Sequence, residues 1–227
     1  MTIPDIIIAI DGCSSTGKSS FAKLVAQKFG FTYLDSGALY RAVTFFAQQK
    51  GLIAPDNTVS DLLESELSGL DLHFEQGQGM CVGGQCIEKQ IRTMAVSSQV
   101  SPISALAYVR RFVDERLHAM AAGGAVVMDG RDIGTTVFPN AQLKIFLTAR
   151  PEVRAQRRYC EMLSKGEKAV LEDVMNNLLE RDRIDSSREV SPLRRAADAF
   201  ELDNSEMTLA EELAWIQGLI QGKFGIL

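Results

Sequence analysis

Gly12-Cys13-Ser14-Ser15-Thr16-Gly17-Lys18-Ser19 fits the pattern G-x-x-x-x-G-K-[ST]. The chemistry such a segment offers is phosphate binding. Its glycines let the backbone curl until successive N–H groups converge on one point, and the positive end of the following helix is aimed at the same place. Lys18 can reach the β- and γ-phosphates of a nucleoside triphosphate, and the Ser19 hydroxyl can take a place on Mg²⁺. The candidate triphosphate contacts are therefore Gly12, Cys13, Ser14, Ser15, Thr16, Gly17, Lys18, Ser19 and Ser20. The flanks agree with this reading. Ile6 to Ile10 is an apolar buried-strand run, and residues 18–29 carry Phe21, Leu24, Val25 and Phe29 on one helical stripe.

Three further clusters could serve a second ligand. Asp35-Ser36-Gly37-Ala38-Leu39-Tyr40-Arg41 follows an apolar run and sets a hydroxyl, a phenol and a guanidinium on the first turns of a helix. Arg41 is either a clamp for a second phosphate or a solvated residue at a polar helix start. Val126-Val127-Met128-Asp129-Gly130-Arg131-Asp132 ends another apolar run in two carboxylates flanking an arginine. Asp129 has the place of a Walker B carboxylate that orders Mg²⁺, while Arg131 and Asp132 would reach further, towards an acceptor. The plain alternative is an ion-pair cluster at a sheet edge. Finally, Arg150, Arg154 and Arg157 share one helical face, with Arg158 beside them, and Arg181, Asp182, Arg183, Asp185, Arg188 and Arg194 follow. An arginine stripe can be a solvated face. So many within one segment favour a mobile lid that surrounds a spreading negative charge and excludes water.

The elements that must position these residues alternate in type. Ile6–Ile10, Phe31–Leu34, Ala125–Met128, Leu143–Thr148 and Ala199–Leu202 read as buried parallel strands. Helical patterns span 18–29, about 37–50, about 97–122, 151–165, about 170–185 and 208–222. This alternation predicts a parallel sheet covered on both faces, with polar strand ends gathered at one edge where ligands bind. Gly123-Gly124 reads as a helix stop and Thr208 to Glu211 as a capping box. Leu70 to Ile91 breaks the rhythm. Its short alternating pieces, separated by Gly77, Gly79, Gly83 and Gly84, predict a small antiparallel sheet inserted between helices.

Composition narrows the class. With 227 residues and 46% hydrophobic content, the chain suggests one domain with insertions. A formal net charge of -5 argues against a nucleic-acid partner. Residues 150–195 nonetheless hold 11 Lys/Arg against 9 Asp/Glu, mostly arginine, which suits bidentate phosphate contact. No apolar run approaches a membrane span, and Asp5 with no basic segment before Ile6 speaks against a signal peptide, so the expected location is cytoplasmic. A monomer is expected, since no exposed apolar heptad is evident. Cys13, Cys81, Cys86 and Cys160 form no C-x-x-C pair, and His73 and His118 are far apart, so thiols rather than a zinc site are expected. Cys13 lies inside the phosphate loop, either as an inert small filler or as a point where an alkylator would block it.

Taken together, these segments resemble the bacterial cytidylate kinases, and the resemblance covers essentially the whole chain. It rests on Asp11-Gly12 with Gly17-Lys18-Ser19, on Asp35 to Arg41, and on Ile91-Arg92-Thr93. It rests further on Ser101 with Val109-Arg110, Asp129 to Thr135, and Arg181-Asp182-Arg183 with Ser191-Pro192-Leu193. The resemblance implies an α/β fold like that of P-loop nucleoside monophosphate kinases. Its parts would be a five-stranded parallel sheet covered by helices on both faces, a small antiparallel β insert and an Arg-rich helical lid. It implies a single kinase domain over 1–227, with core segments near 1–68, 95–149 and 196–227, a monophosphate-binding insert near 69–94 and a lid near 150–195. The implied reaction moves the γ-phosphate of ATP to CMP or dCMP with Mg²⁺, within pyrimidine nucleotide metabolism.

By the same resemblance, Arg41, Arg110 and Arg131 fall near the acceptor phosphate, and Arg181, Asp185 and Ser101 near the sugar. Ser36, Arg110, Asp132 and Arg188 fall around the base, with Tyr40 on the same acceptor side. Lys18, Arg131, Arg157, Arg158 and Arg188 are the groups expected at the transferring phosphate, and Ser19 and Asp129 at the metal. A carboxylate such as Asp132 can accept from the C4 amino group of cytosine. Uracil presents an acceptor there, and the unpaired buried group would cost about 1–3 kcal/mol. One departure is local. The family usually has Pro after the first loop glycine and Ala, Ser or Gly before the second, where this chain has Cys13 and Thr16.

Rival readings are a kinase for UMP, AMP or a non-nucleotide alcohol, a nucleotide-gated switch, and a subunit coupling ATP hydrolysis to a partner. A guanine-binding switch would normally carry Asn-Lys-x-Asp, which this sequence lacks.

Overall fold

The computed structural model describes residues 4–75 and 79–225. Chain contacts divide them into two compact units, one from Met1–Leu34 with Ala121–Leu227 and one from Asp35–Met120.

The first unit is built on a five-stranded parallel sheet in the order β2-β6-β1-β7-β8. Its strands are β1 (Ile7–Gly12), β2 (Thr32–Asp35), β6 (Val126–Gly130), β7 (Leu143–Thr148) and β8 (Phe200–Asp203). The central strand β1 lies between β6 and β7, with Ile8 opposite Val127 on one side and Leu143 on the other. Strands buried on both faces need apolar runs without alternation, and Ile8, Ile10, Val127, Leu143 and Ile145 supply them. Phe21 and Val25 of α1 (Lys18–Phe29) and Ile216 and Ile220 of α8 (Leu209–Phe224) pack onto this layer. Helix α8 begins with the expected capping box. Glu211 N donates to the Thr208 hydroxyl at 3.3 Å, and Thr208 N donates to the Glu211 carboxylate at 2.8 Å. Helices α6 (Pro151–Ser164) and α7 (Leu171–Ser187) form a hairpin closed by a small core of Ala155, Met162, Val174 and Leu178.

The second unit contains α2 (Ser36–Gln49), α3 (Leu62–Leu67), α4 (Met94–Ala105), α5 (Ala107–Met120) and a small antiparallel sheet. The sheet comprises β3 (Leu72–Glu75), β4 (Gly79–Val82) and β5 (Gln85–Cys86), in that order. The expected insert is therefore present; Gly77 lies outside the described residues. Buried Leu39, Val43, Ile91, Ile103, Val113 and Leu117 make the apolar interior.

The single helix expected over about 97–122 is two helices. Leu106 adopts an extended backbone (φ -75°, ψ 123°) between α4 and α5. The break is stabilised locally. Arg110 Nη1 donates to the Ser104 carbonyl at 3.1 Å, placing a cation at the negative end of α4. Ser101 thus lies on α4 and Arg110 on α5. Three elements had no sequence signal: α3, a 3-10 turn over Gln90–Arg92 and a single wide π turn over Ile133–Val137. No helix among the described residues is long and apolar enough to cross a membrane.

Candidate active site

In the first unit, the loop from Cys13 to Gly17 joins β1 to α1. Gly12 is required by a close approach. A Cβ there would sit 2.1 Å from the Leu147 carbonyl oxygen of β7, and its φ of 151° is one that other residues rarely adopt. Gly17 is left-handed (φ 93°) and starts the helix. Lys18 is buried; its Nζ donates to the Cys13 carbonyl and lies 3.3 Å from Thr16 Oγ1. Burial first, and then the nearby Arg131 charge, push the Lys18 ammonium down to about 7. Burial likewise pushes the Cys13 thiol up, which keeps it a poor nucleophile. Ser20 is exposed.

Ser19 Oγ donates to Asp129 Oδ2 at 2.8 Å, so the helix hydroxyl and the carboxylate at the end of β6 meet as the sequence suggests. Tyr33 OH donates to the other carboxylate oxygen at 2.7 Å, a partner that no spacing in the sequence points to. Behind them Asp11 accepts from Ile133 N at 2.8 Å and Gly134 N at 2.7 Å. Burial pushes the Asp11 carboxyl up to about 7 although both N–H groups pull it down.

The α6–α7 hairpin and the end of β8 brace the loop. Ser14 N donates to Asp182 Oδ1 at 3.1 Å, and Arg154 Nη1 reaches both the Ser14 carbonyl, at 3.1 Å, and Asp182. Arg157 donates to the Thr16 carbonyl at 3.3 Å and to Asn204 at 3.0 and 2.8 Å. Asn204 Nδ2 itself donates to Thr16 O and to Glu212, each at 2.8 Å. Arg158 pairs with Glu161 at 3.0 Å. No spacing in the sequence marks Asn204 or Asp182 as a loop brace; the traces they leave are a polar pair just after the apolar run that ends at Leu202 and the Arg-Asp alternation at 181–183.

Arg131, Asp132, Asp185 and Arg188 form one network. Arg131 Nε donates to Asp185 Oδ2 at 2.9 Å and its Nη2 to Ser14 Oγ at 2.8 Å. Burial opposes the charge of Arg131, but Asp185 and Asp182 outweigh it and raise its pKa. Arg188 Nη2 donates to Asp132 Oδ1 at 3.2 Å, and its Nε to the Ser191 carbonyl at 2.6 Å. Asp132 and Asp185 are buried, whereas Arg181, on α7, is partly so.

The second unit gathers its own set around Asp35. This carboxylate caps α2 by accepting from Ala38 N at 2.9 Å, and it binds Arg41 at 2.8 Å and Arg92 at 3.0 Å. Burial alone would raise its pKa; Arg41 and Arg92 reverse that and hold it below the usual carboxylate range. Gly37 leaves room for the pair, since a Cβ there would stand 2.8 Å from Arg41 Nη1. Arg110 is buried with its guanidinium 5.4 Å from the centre of the Tyr40 ring. Ser36 and Ser101 are buried on α2 and α4.

A parallel sheet whose central strand runs through a G-x-x-x-x-G-K-S loop into a helix, with a carboxylate from the adjacent strand on the loop serine, defines a P-loop nucleotide-binding protein. A model of the cytidylate kinase family matches residues 8–221. The chain is 49% identical over 222 residues to a cytidylate kinase of Porphyromonas gingivalis, covering 95% of this chain and 96% of that one. It is 48% identical over 221 residues to a cytidylate kinase of Bacteroides fragilis, with the same coverage of 95% and 96%. This chain belongs to the cytidylate kinase family. Among solved structures, TT1252 from Thermus thermophilus matches with a TM-score of 0.50 at 19% identity, over 96% of this chain and 97% of that one. That likeness concerns the fold alone.

Proposed function

We propose that this protein transfers the γ-phosphate of ATP to CMP or dCMP, giving ADP and CDP or dCDP. The observation that carries the reading is near-full-length membership of the cytidylate kinase family together with the Gly12–Ser19 loop and the buried Asp132–Arg188 pair. The acceptor is already a nucleophilic phosphate oxygen, so catalysis is alignment and charge neutralisation without a covalent enzyme intermediate. Backbone N–H groups of the loop and Lys18 hold the triphosphate. Arg41, Arg110 and Arg131 hold the acceptor phosphate. Support for Arg41 comes from its buried Nε, which has no hydrogen-bond acceptor among the described residues and is thus ready for one. Arg181, Asp185 and Ser101 take the sugar. Ser36, Arg110, Asp132 and Arg188 take the base, with Asp132 accepting from the C4 amino group.

Ser19 and Asp129 fit a Mg²⁺ ion. They are hard oxygen donors already within 2.8 Å of each other, and their small number suits an ion that keeps water and phosphate oxygens as its other ligands. When bound there, Mg²⁺ would neutralise charge on the β- and γ-phosphates. We read 150–195 as the lid and 69–94 as the monophosphate-binding insert of one kinase domain. Arg157 and Arg158 lie on the lid and Arg188 at its end; Arg157 already reaches the loop at Thr16, and closure would bring Arg158 and Arg188 to the transferring group and exclude water. The protein is taken to be a cytoplasmic monomer, which sedimentation would check.

The test is ADP release with ATP and Mg²⁺ and, in parallel, CMP, dCMP, UMP, AMP or no acceptor. Turnover with CMP and dCMP far above UMP and AMP is the expected result. Equal ADP release without any acceptor would instead make the protein an ATPase or a switch.

A further inference from the structure

Cys81 and Cys86 lie directly opposite each other on β4 and β5. The two strands are joined by Gly83-Gly84, both left-handed (φ 53° and 81°), the backbone of a tight two-residue hairpin. Val82 and Gln85 close that turn. On the other side of the cysteines, Ile87 N donates to the Met80 carbonyl at 2.9 Å. Hydrogen-bonded and non-hydrogen-bonded pairs alternate along an antiparallel ladder, so Cys81–Cys86 is a non-hydrogen-bonded pair, with Cα atoms about 4.5 Å apart and both side chains on one face. Disulfides span Cα separations of about 4.4–6.8 Å. The two thiols are within hydrogen-bond reach of each other. Cys81 is buried, with its Sγ 3.6 Å from Glu75 Oε2, whereas Cys86 is half-buried and is the sulfur that a small oxidant meets first.

We propose that Cys81 and Cys86 are a redox pair that a hydroperoxide converts to a disulfide, and that closing it weakens acceptor binding. The Cys86 thiolate attacks one oxygen of hydrogen peroxide; the O–O bond breaks, leaving a Cys86 sulfenic acid and a hydroxide that takes up the proton the thiol lost and departs as water. The Cys81 sulfur then attacks the Cys86 sulfur, its proton leaves with the sulfenic oxygen as a second water, and the S–S bond forms. Two thiols lose two electrons, and the peroxide gains them.

The hairpin is linked to Asp35 by a continuous set of contacts. Met80 N, next to Cys81, donates to Glu88 Oε2 at 3.0 Å. Glu88 Oε1 accepts from Arg92 Nε, and Arg92 Nη2 donates to Asp35 at 3.0 Å. Asp35 holds Arg41 at 2.8 Å. Glu88 has little slack, because a Cβ at Gly79 would stand 2.7 Å from its Oε2. The usual Cα separation across a disulfide is about 5.5–6 Å, wider than that of such a pair, so closing the bond spreads the strands at the cysteines and shifts Glu88 and Arg92, which act as positioning residues for Asp35 and Arg41. This second half rests on the reading of Arg41 as an acceptor clamp given above; the disulfide does not.

The experiment treats the full-length protein with hydrogen peroxide, blocks remaining thiols and maps peptides by mass, then assays it before and after dithiothreitol. A Cys81–Cys86 linked peptide is expected. With it the KM for CMP should rise about threefold, the scale of one disturbed hydrogen bond, while the KM for ATP stays constant. Both changes should reverse with dithiothreitol and be absent in Cys86→Ser and, as a second variant, Cys81→Ala. Failure to find the linked peptide overturns the pair. A linked peptide with an unchanged KM for CMP overturns the coupling, and so does a rise that persists in Cys86→Ser, which would assign the effect to another thiol such as Cys13. If the reduced protein never turns over CMP, the function reading fails, while the linked peptide still decides the pair.

Discussion

The phosphate loop of the first unit and the arginine cluster of the second, whose Arg41 we propose as the acceptor clamp, are held in opposite ways. The loop is fixed from behind by side chains from several distant segments. Cys13, Ser14 and Thr16 are engaged by Lys18, Asp182, Arg154, Arg131, Arg157 and Asn204. The cluster is centred on Asp35, with Glu88 as a second partner of Arg92 alone. The Arg92 side chain is 38% exposed, against 5% for Arg154. A loop that receives the same triphosphate in every cycle gains from being preorganised. An arginine paired to a single carboxylate, as Arg41 is, can exchange it for an incoming phosphate at little cost, because charge neutralisation is conserved.

The largest expected effect tests the fixed region at its chemical centre. Lys18→Met should lower kcat by about a thousandfold, the scale of losing one preorganised charge at the transferring group. Steady-state assay checks it, and near-normal turnover would sink the account of the loop.

The bracing itself is tested next. Arg154→Ala leaves Asp182 without its buried partner and should cost about 3 kcal/mol of stability, read as the shift in a denaturant midpoint. A change as small as that of an exposed pair would erase the contrast between the two regions.

The preorganised loop also carries a pH signature. Lys18 has a folded-state pKa of about 7, below the ordinary lysine value of 10.5. Phosphate raises it again, so ATP binding above pH 7 must take up a proton. The affinity for ATP should therefore weaken from about pH 7 to 9, by up to about tenfold per unit. Calorimetry at pH 8 in buffers of different ionisation enthalpy should show net proton uptake. Lys18→Arg, always charged, should abolish it.

The smallest effect belongs to the loosely held region. Arg92→Ala removes one of the two arginine partners of Asp35 at a partly exposed site and should change stability by under about 1 kcal/mol. A loss approaching that of Arg154→Ala would show the acceptor cluster to be as rigid as the loop.

Much of this was legible in the sequence. The loop, its strand and its helix follow from small residues at fixed spacing and from apolar periodicity, both local properties. The five strands fall within two residues of their expected starts and ends because a strand buried on both faces has to be apolar throughout. The helix break at Leu106 was not legible. It depends on Arg110 reaching back to the Ser104 carbonyl, a side-chain choice with no periodic trace. Tyr33 on Asp129 and Asn204 on Thr16 were hidden for a similar reason, since their partners lie 96 and 188 residues away.

The sequence by itself determined the phosphate loop, the alternation of strands and helices, and the identity of the charged residues available for a second ligand. Each of these is written in near neighbours, where spacing controls geometry. Only the tertiary structure decided which arginine wedges the loop, which carboxylate pairs with Arg188, and that Lys18 is buried deeply enough for its charge to depend on pH near neutrality. Those outcomes depend on burial and on charges brought together from distant segments, and neither exists until the chain has folded.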